Sequence, residues 1–368
     1  MNKVTKRISL SIFILIITYT VNLLAGQNTA LVETYYSRMI YPKVSLFLSG
    51  VFGFIDVSSG EVIILVALIF IVLKVGAFLS NPSKEKLVDE TSKLLMTASM
   101  VYMMFWMLWG LNNYRMPLES NFDYEIEEVS IEQLEETAVY LLDNIKYLES
   151  HLEFDENNLP VYKGNLDDIR KNSRSYFNRI AAVSDYLAVG IYSKPKAMYF
   201  SEIMSQLNYT GIYNPFTAES NLNVNIPKYK IPFVASHEIA HQRGYAGEKE
   251  ANCLAFISCV ESGDYYFEYS GYLSGLVYVT NAIYREDKEL YFEIRDMYSE
   301  NLEAVLKDNY DYWENYRGIA SEIGEKNNDR FLKSTGQLEG TRSYGLVVDY
   351  LAAYVKNENH KNVDLVKK

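Results

Sequence analysis

Cysteine is nearly absent from this chain: 368 residues carry only Cys253 and Cys259. The two stand six apart in a helical-looking stretch, where a helix rises about 9 Å between them, beyond ordinary disulfide reach. Both read as buried thiols, and they leave the redox compartment open. Runs of basic residues are missing as well, and the formal net charge is -12. That excess argues against nucleic acid as a partner, because phosphate binding needs a basic stripe. It also argues against a polybasic lipid-binding patch. No internal repeat is evident. Histidine is scarce, with four residues, yet two of them, His237 and His241, sit four apart.

Long apolar runs are present, and they gather in the N-terminal third. Residues 8–26 are uncharged and mostly aliphatic, residues 62–79 are apolar apart from Lys74, and residues 94–111 are apolar and aromatic, with Trp106 and Trp109 near their end. Each has about the length that crosses a hydrocarbon core, so three transmembrane helices are expected within a membrane region 1–111. A cleaved leader is the rival reading of the first run, but no small-x-small site follows Leu23-Leu24-Ala25 cleanly. Residues 45–55 are too short to span and contain Gly50 and Gly53, which fits a re-entrant or interfacial segment. Lys3, Lys6 and Arg7, then Lys84, Lys86 and Lys93, mark the cytoplasmic side. The chain is therefore expected to be a multi-pass protein of the cytoplasmic membrane. Its domain 112–368 would lie outside the cytoplasm, despite Arg38 and Lys43 in the predicted outer loop.

In that domain, residues 131–152 and 167–187 read as amphipathic helices, and residues 195–199 as a short extended piece. Leu222, Val224 and Ile226 alternate with Asn221, Asn223 and Asn225. That pattern predicts a half-buried strand over 220–226, with its polar side, together with Glu219, blunting a sheet edge. From Tyr265 onward the pattern is helical and rich in tyrosine, read mainly as packing. The expected fold is mainly α with a small β-sheet, behind an α-helical membrane region.

The chemistry concentrates in His237-Glu238-Ile239-Ala240-His241. Residues four apart on a helix share a face, so two imidazoles reach one metal ion while Glu238 faces the metal-bound water. Pro232 suits the first turn of this helix, Gly244 ends it, and Gly247 opens the next. The following Glu248-Lys249-Glu250-Ala251-Asn252 offers a third ligand. Glu248 is favoured, with Glu250 the alternative, since the two point about 160° apart on a regular helix. Asn252 shares the face of Glu248 and is placed to brace a ligand imidazole. His151 and His360 read as surface residues.

Together these two helices resemble the gluzincin metallopeptidases, in which His-Glu-x-x-His is followed by Glu-x-x-x-Asp or Asn. CAAX-prenyl-type and heat-shock-type membrane proteases and the anti-repressor peptidases carry such segments. Over nearly its full length the chain also resembles an uncharacterised family of bacterial membrane proteins with three N-terminal transmembrane helices, His-Glu-x-Ala-His-Gln-x-Gly and Glu-x-Glu-Ala-Asn. The resemblance implies a zincin-like domain holding Zn2+. It implies hydrolysis of a peptide or protein, such as one of the cell envelope, with Glu238 as general base. Tyr344 and Arg342, in a glycine-bounded stretch, are the expected donors to the developing oxyanion. The rival class is a non-catalytic envelope protein whose zinc-stabilised domain binds a partner or senses a signal. Glu238 speaks against it, because a structural site has no use for a carboxylate beside the first ligand.

Overall fold

The computed structural model describes residues 2–122, 126, 127 and 129–366. The architecture is mainly helical, with one three-stranded sheet. Among the described residues, two helices are long and apolar enough to cross a membrane, Lys3–Gln27 and Ser59–Leu79. From Val62 on, almost every apolar side chain of the second is exposed. A third long helix, Lys84–Leu108, starts in charged sequence and runs parallel to the first. Arg7 pairs with Asp89 at 2.6 Å, Ser11 lies against Met96, and Gly26 lies by the Tyr114 ring. It stops at Leu108, so the end of the expected span 94–111 is instead a 3-10 turn, Gly110–Tyr114.

Of residues 45–55, the first eight fall in a twelve-residue helix, Tyr41–Phe52, which is preceded by a π-helical stretch, Val32–Ile40; residues 53–55 form the turn after it. Tyr41, Ser45 and Ser49 repeat every four residues, so they share one face, and all three are buried. The opposite side exposes Phe47 and Val51. The segment is therefore a short amphipathic helix whose hydroxyl-bearing face docks on the rest of the molecule.

The remaining chain packs around one core. Helix Ile131–Glu149 opens with a capping box built by Ser130 and Gln133, and its apolar face lies along helix Tyr265–Glu286. Helix Leu166–Ala182, capped by Asn165 and Asp168, supports helices Ile231–Gln242 and Glu248–Val260. The strands are β1 (Lys196–Ala197), β2 (Gly211–Asn214) and β3 (Glu219–Leu222), in the order β1-β3-β2, with β1 parallel and β2 antiparallel to β3. The expected edge strand 220–226 is thus corrected. β3 is central, short and fully buried, and the two edges are β1 and β2. Asn223 is turned inward, where its amide donates to Tyr209 O and Ser205 Oγ, each at 2.9 Å. Glu219 blunts no edge either; it is buried 2.9 Å from Lys196 Nζ and receives the backbone N–H groups of Ser59 and Gly60. One internal ion pair thereby ties the start of a membrane-type helix to the sheet.

Cys253 and Cys259 are buried and unpaired, and burial pushes both thiols up, Cys259 to about 12. His151 is exposed, while the side chain of His360 lies outside the described residues.

Candidate metal centre

Helix Ile231–Gln242 has Pro232 in its first turn and is buried on every side. It ends at Gly244, whose φ of +89° suits glycine, and a Cβ there would stand 2.8 Å from the Tyr41 ring. The chain then reverses and enters helix Glu248–Val260 at Gly247. This short return brings Glu248 opposite the two histidines.

The free carbonyls at the end of the first helix are satisfied by the N-terminal region. Trp109 Nε1 donates to His241 O at 3.1 Å, Tyr41 Oη and Ser45 Oγ donate to Gln242 O at 2.9 and 3.1 Å, and Arg115 Nη1 donates to Gly244 O at 3.0 Å. Arg115 is itself held by Glu33 at 2.8 Å. The motif helix is therefore anchored directly to the elements that follow and precede the apolar helices.

His237, His241 and Glu248 are all buried, and their ligand atoms lie within 4.8 Å of one another. The two Nε2 atoms are 3.0 Å apart, and Glu248 Oε2 lies 3.2 Å from the first and 3.7 Å from the second. Each Nδ1 meets a carbonyl-type oxygen: His237 at 2.8 Å from Asn252 Oδ1, His241 at 2.7 Å from Tyr245 O. Such acceptors place the ring proton on Nδ1 and turn both Nε2 lone pairs inward. Two imidazole nitrogens and a carboxylate at this separation call for a cation among them, either a proton shared by the group or a metal ion. A divalent metal of the kind bound by two His and one Glu fits this donor set.

Charge coupling inside the site is strong. Burial raises the Glu248 carboxyl, but the His241 and His237 imidazoles outweigh it and hold it at about 2. Burial lowers His241, yet Glu248 lifts it to about 9. Burial pushes Glu238 up to about 7, against the pull of both imidazoles, and its Oε2 is buried with no hydrogen-bond partner. Glu250 stands apart from this group. It folds back on Gly247 and lines a separate cavity with Arg115, and burial raises its carboxyl.

Two cavities open at the cluster. One of about 480 Å³ is lined by His237, Glu238, Gly211, Lys230, Tyr278 and Asn328, among others. A second, of about 350 Å³ and mostly apolar, joins His237, His241 and Glu248 to Phe105, Trp109, Ile212 and Phe331. Helix Ile319–Ser334 lines both with Asn328, and β2 lines both with Gly211.

Of the two expected oxyanion donors, the described side chains place only Arg342, and not at the cluster. Arg342 is exposed beside Asp329 and lines neither cavity; its neighbour Thr341 does line the larger one. The side chain of Tyr344 lies outside the described residues. A tyrosine that sequence reasoning passed over also lines the cavity: Tyr278 stands near Asn252, and burial raises its hydroxyl. The signal was present in Ser270, Ser274 and Tyr278, polar groups repeating every four residues along an apolar helix. Lys230 carried no such signal, for it reads as an ordinary charge in a Lys-Tyr-Lys turn.

No curated protein and no solved structure matches this chain. A family model does, over residues 36–352, and its description is "Protein of unknown function (DUF3810)". By that match, which takes in the helices of the cluster and most of the N-terminal elements docked on them, the chain belongs to the DUF3810 family.

Proposed function

We propose that this protein is a membrane-anchored, zinc-dependent metallopeptidase of zincin-like design. The observation that carries this reading is the convergence of the His237, His241 and Glu248 ligand atoms, beside Glu238, whose Oε2 is buried without a hydrogen-bond partner among the described residues. Bound there, zinc would polarise the scissile carbonyl and lower the pKa of a water molecule. Glu238 accepts the proton of the attacking water and passes it to the leaving amine. Asn252 and the carbonyl of Tyr245 hold the imidazoles in orientation. Tyr278, which lines the cavity, is offered as donor to the developing oxyanion beside the expected Tyr344, in place of Arg342.

The free edge of β2 serves the substrate. Asn223 N–H donates to Thr210 O, so by the alternation of an antiparallel ladder Gly211 and Tyr213 turn their main-chain groups away from β3. An extended peptide laid along that edge passes Glu238. Gly211 permits the approach, since a Cβ there would stand 2.7 Å from Glu238 Cγ.

Three membrane-crossing helices remain the reading for the N-terminal region. Gln27, Ser59 and Leu108 lie at the domain end, and Lys3, Lys6, Lys74, Lys84 and Lys86 lie toward the other, which suits a cytoplasmic side there and an extracytoplasmic site. The apolar cavity then begins at Phe105 and Trp109, close to the membrane surface. Three ligands plus a general base favour this enzyme over a purely zinc-stabilised binding domain, which has no work for Glu238.

Metal analysis of the purified protein tests the reading. About one zinc per chain is expected, lost in His237→Ala or His241→Ala. Glu238→Gln is expected to keep zinc and lose hydrolysis by two or more orders of magnitude. Full peptidase activity in Glu238→Gln refutes the assignment. Reporter fusions after Asn81 and after Tyr114 test the topology, and identical sidedness of the two overturns it.

A further inference from the structure

Lys230 immediately precedes helix Ile231–Gln242, seven residues before His237. Seven residues are close to two full turns, so the two side chains lie on nearly the same helix face, about 10 Å apart along the axis. Lys230 is half-buried and lines the larger cavity with His237 and Glu238, the one basic side chain among the described residues that do so. It forms no ion pair among the described residues, and withdrawal from water holds its ammonium down at about 8. The other lining glutamate, Glu325, accepts a hydrogen bond from Asn208 at 2.8 Å. A cation partly withdrawn from water without a counter-charge is costly to keep. Its position inside a reaction cavity makes sense when the missing anion arrives with the substrate.

We infer that Lys230 receives a carboxylate of the substrate, making the site selective for polypeptides with a negative charge a few residues from the scissile bond. The inference rests on the peptidase reading and supplies its substrate class. An extended peptide advances about 3.3 Å per residue. The 10 Å between His237 and Lys230 therefore corresponds to two or three residues. The carboxylate is either the side chain of Asp or Glu or the C-terminal carboxylate of a short product-like peptide, and both present the same group to Nζ.

The test uses the full-length, zinc-loaded protein and matched fluorogenic peptides. One pair differs only in Glu against Gln, scanned over the positions two and three residues from the cleaved bond. A second pair differs only in a free or amidated C-terminus. In a separate arm, binding of the same peptides to Glu238→Gln is followed by fluorescence anisotropy. A gain of at least about tenfold is expected for the acidic member of one pair, in KM for cleavage and in Kd for binding; the pair that shows it identifies the source of the carboxylate. Lys230→Met is expected to bring the ratio near one, and Lys230→Glu to invert it in favour of a Lys-containing peptide. Zinc content of each variant reports that the fold is kept. Equal treatment of acidic and neutral peptides by the wild type in both arms overturns the inference, as does a ratio that survives Lys230→Met. Selective binding without cleavage of any peptide leaves the carboxylate subsite standing and overturns the peptidase reading. Neither binding nor cleavage overturns both.

Discussion

His237 Nδ1 and Asn252 Oδ1 lie 2.8 Å apart, each carried by a different helix of the candidate metal centre. The contact fixes which imidazole nitrogen keeps its proton, and so decides that Nε2 faces Glu248 and His241. Removing it frees the ring to turn. Asn252→Ala is expected to weaken zinc binding by about 10- to 100-fold while leaving all three ligand side chains in place. Competition with a chromogenic chelator measures this. An affinity equal to that of the wild type means that Asn252 only fills space.

Much of this centre was legible because it is local. The four-residue step of His237 and His241, the stop at Gly244 and the restart at Gly247 follow from helix geometry within some fifteen residues of chain. What the sequence did not disclose is long-range. Trp109 reaches across to the carbonyl of His241, and nothing in the spacing of either residue announces it. The alternating asparagines around β3 were misleading for a physical reason. An Asn side chain satisfies a buried backbone as well as it satisfies water, so Asn221 and Asn223 read as a solvent face while serving as internal hydrogen-bond partners.

The buried pair of Lys196 and Glu219 yields a stability prediction. Lys196 Nζ also donates to the carbonyls of Phe52, Ile55 and Val57, so it closes the loop between the amphipathic helix and the apolar helix Ser59–Leu79. Lys196→Met leaves Glu219 charged and buried, and is expected to destabilise the fold by about 3–5 kcal/mol. Combining it with Glu219→Gln is expected to recover part of that loss. Chemical unfolding in detergent reads both; a double variant no better than the single one argues that the pair acts only through its backbone contacts.

Gly211 is expected to be intolerant of even one methyl group. Its Cβ would stand 2.7 Å from Glu238 Cγ and 2.8 Å from the carboxyl carbon, so Gly211→Ala forces the general base aside or pushes β2 away from it. Zinc content is expected to persist, since Gly211 lies beside Glu238 rather than beside the ligands' Nε2 atoms. Turnover is expected to fall by about 10- to 100-fold, the scale on which a displaced catalytic group costs rate. The kcat of the zinc-loaded variant decides the matter, and an unaltered value moves Glu238 out of the reaction.

Lys230 carries a stability cost that depends on pH in a defined direction. Its ammonium is held down at about 8 in the folded protein, against an ordinary value of 10.5. Below pH 8 both states hold the proton, and the folded state bears the full penalty of a partly desolvated charge. Between pH 8 and 10.5 the folded protein sheds the proton while the unfolded chain keeps it, so stability rises with pH across that window. Lys230→Met removes the charge at every pH. The variant is therefore expected to be more stable than the wild type at pH 7, by a ceiling of about 3 kcal/mol, and the gap is expected to close as pH passes 10. Paired unfolding curves at pH 7, 9 and 10.5 follow that gap. A difference that stays constant with pH, or that favours the wild type at pH 7, means the ammonium is well solvated in the cavity and costs the fold nothing.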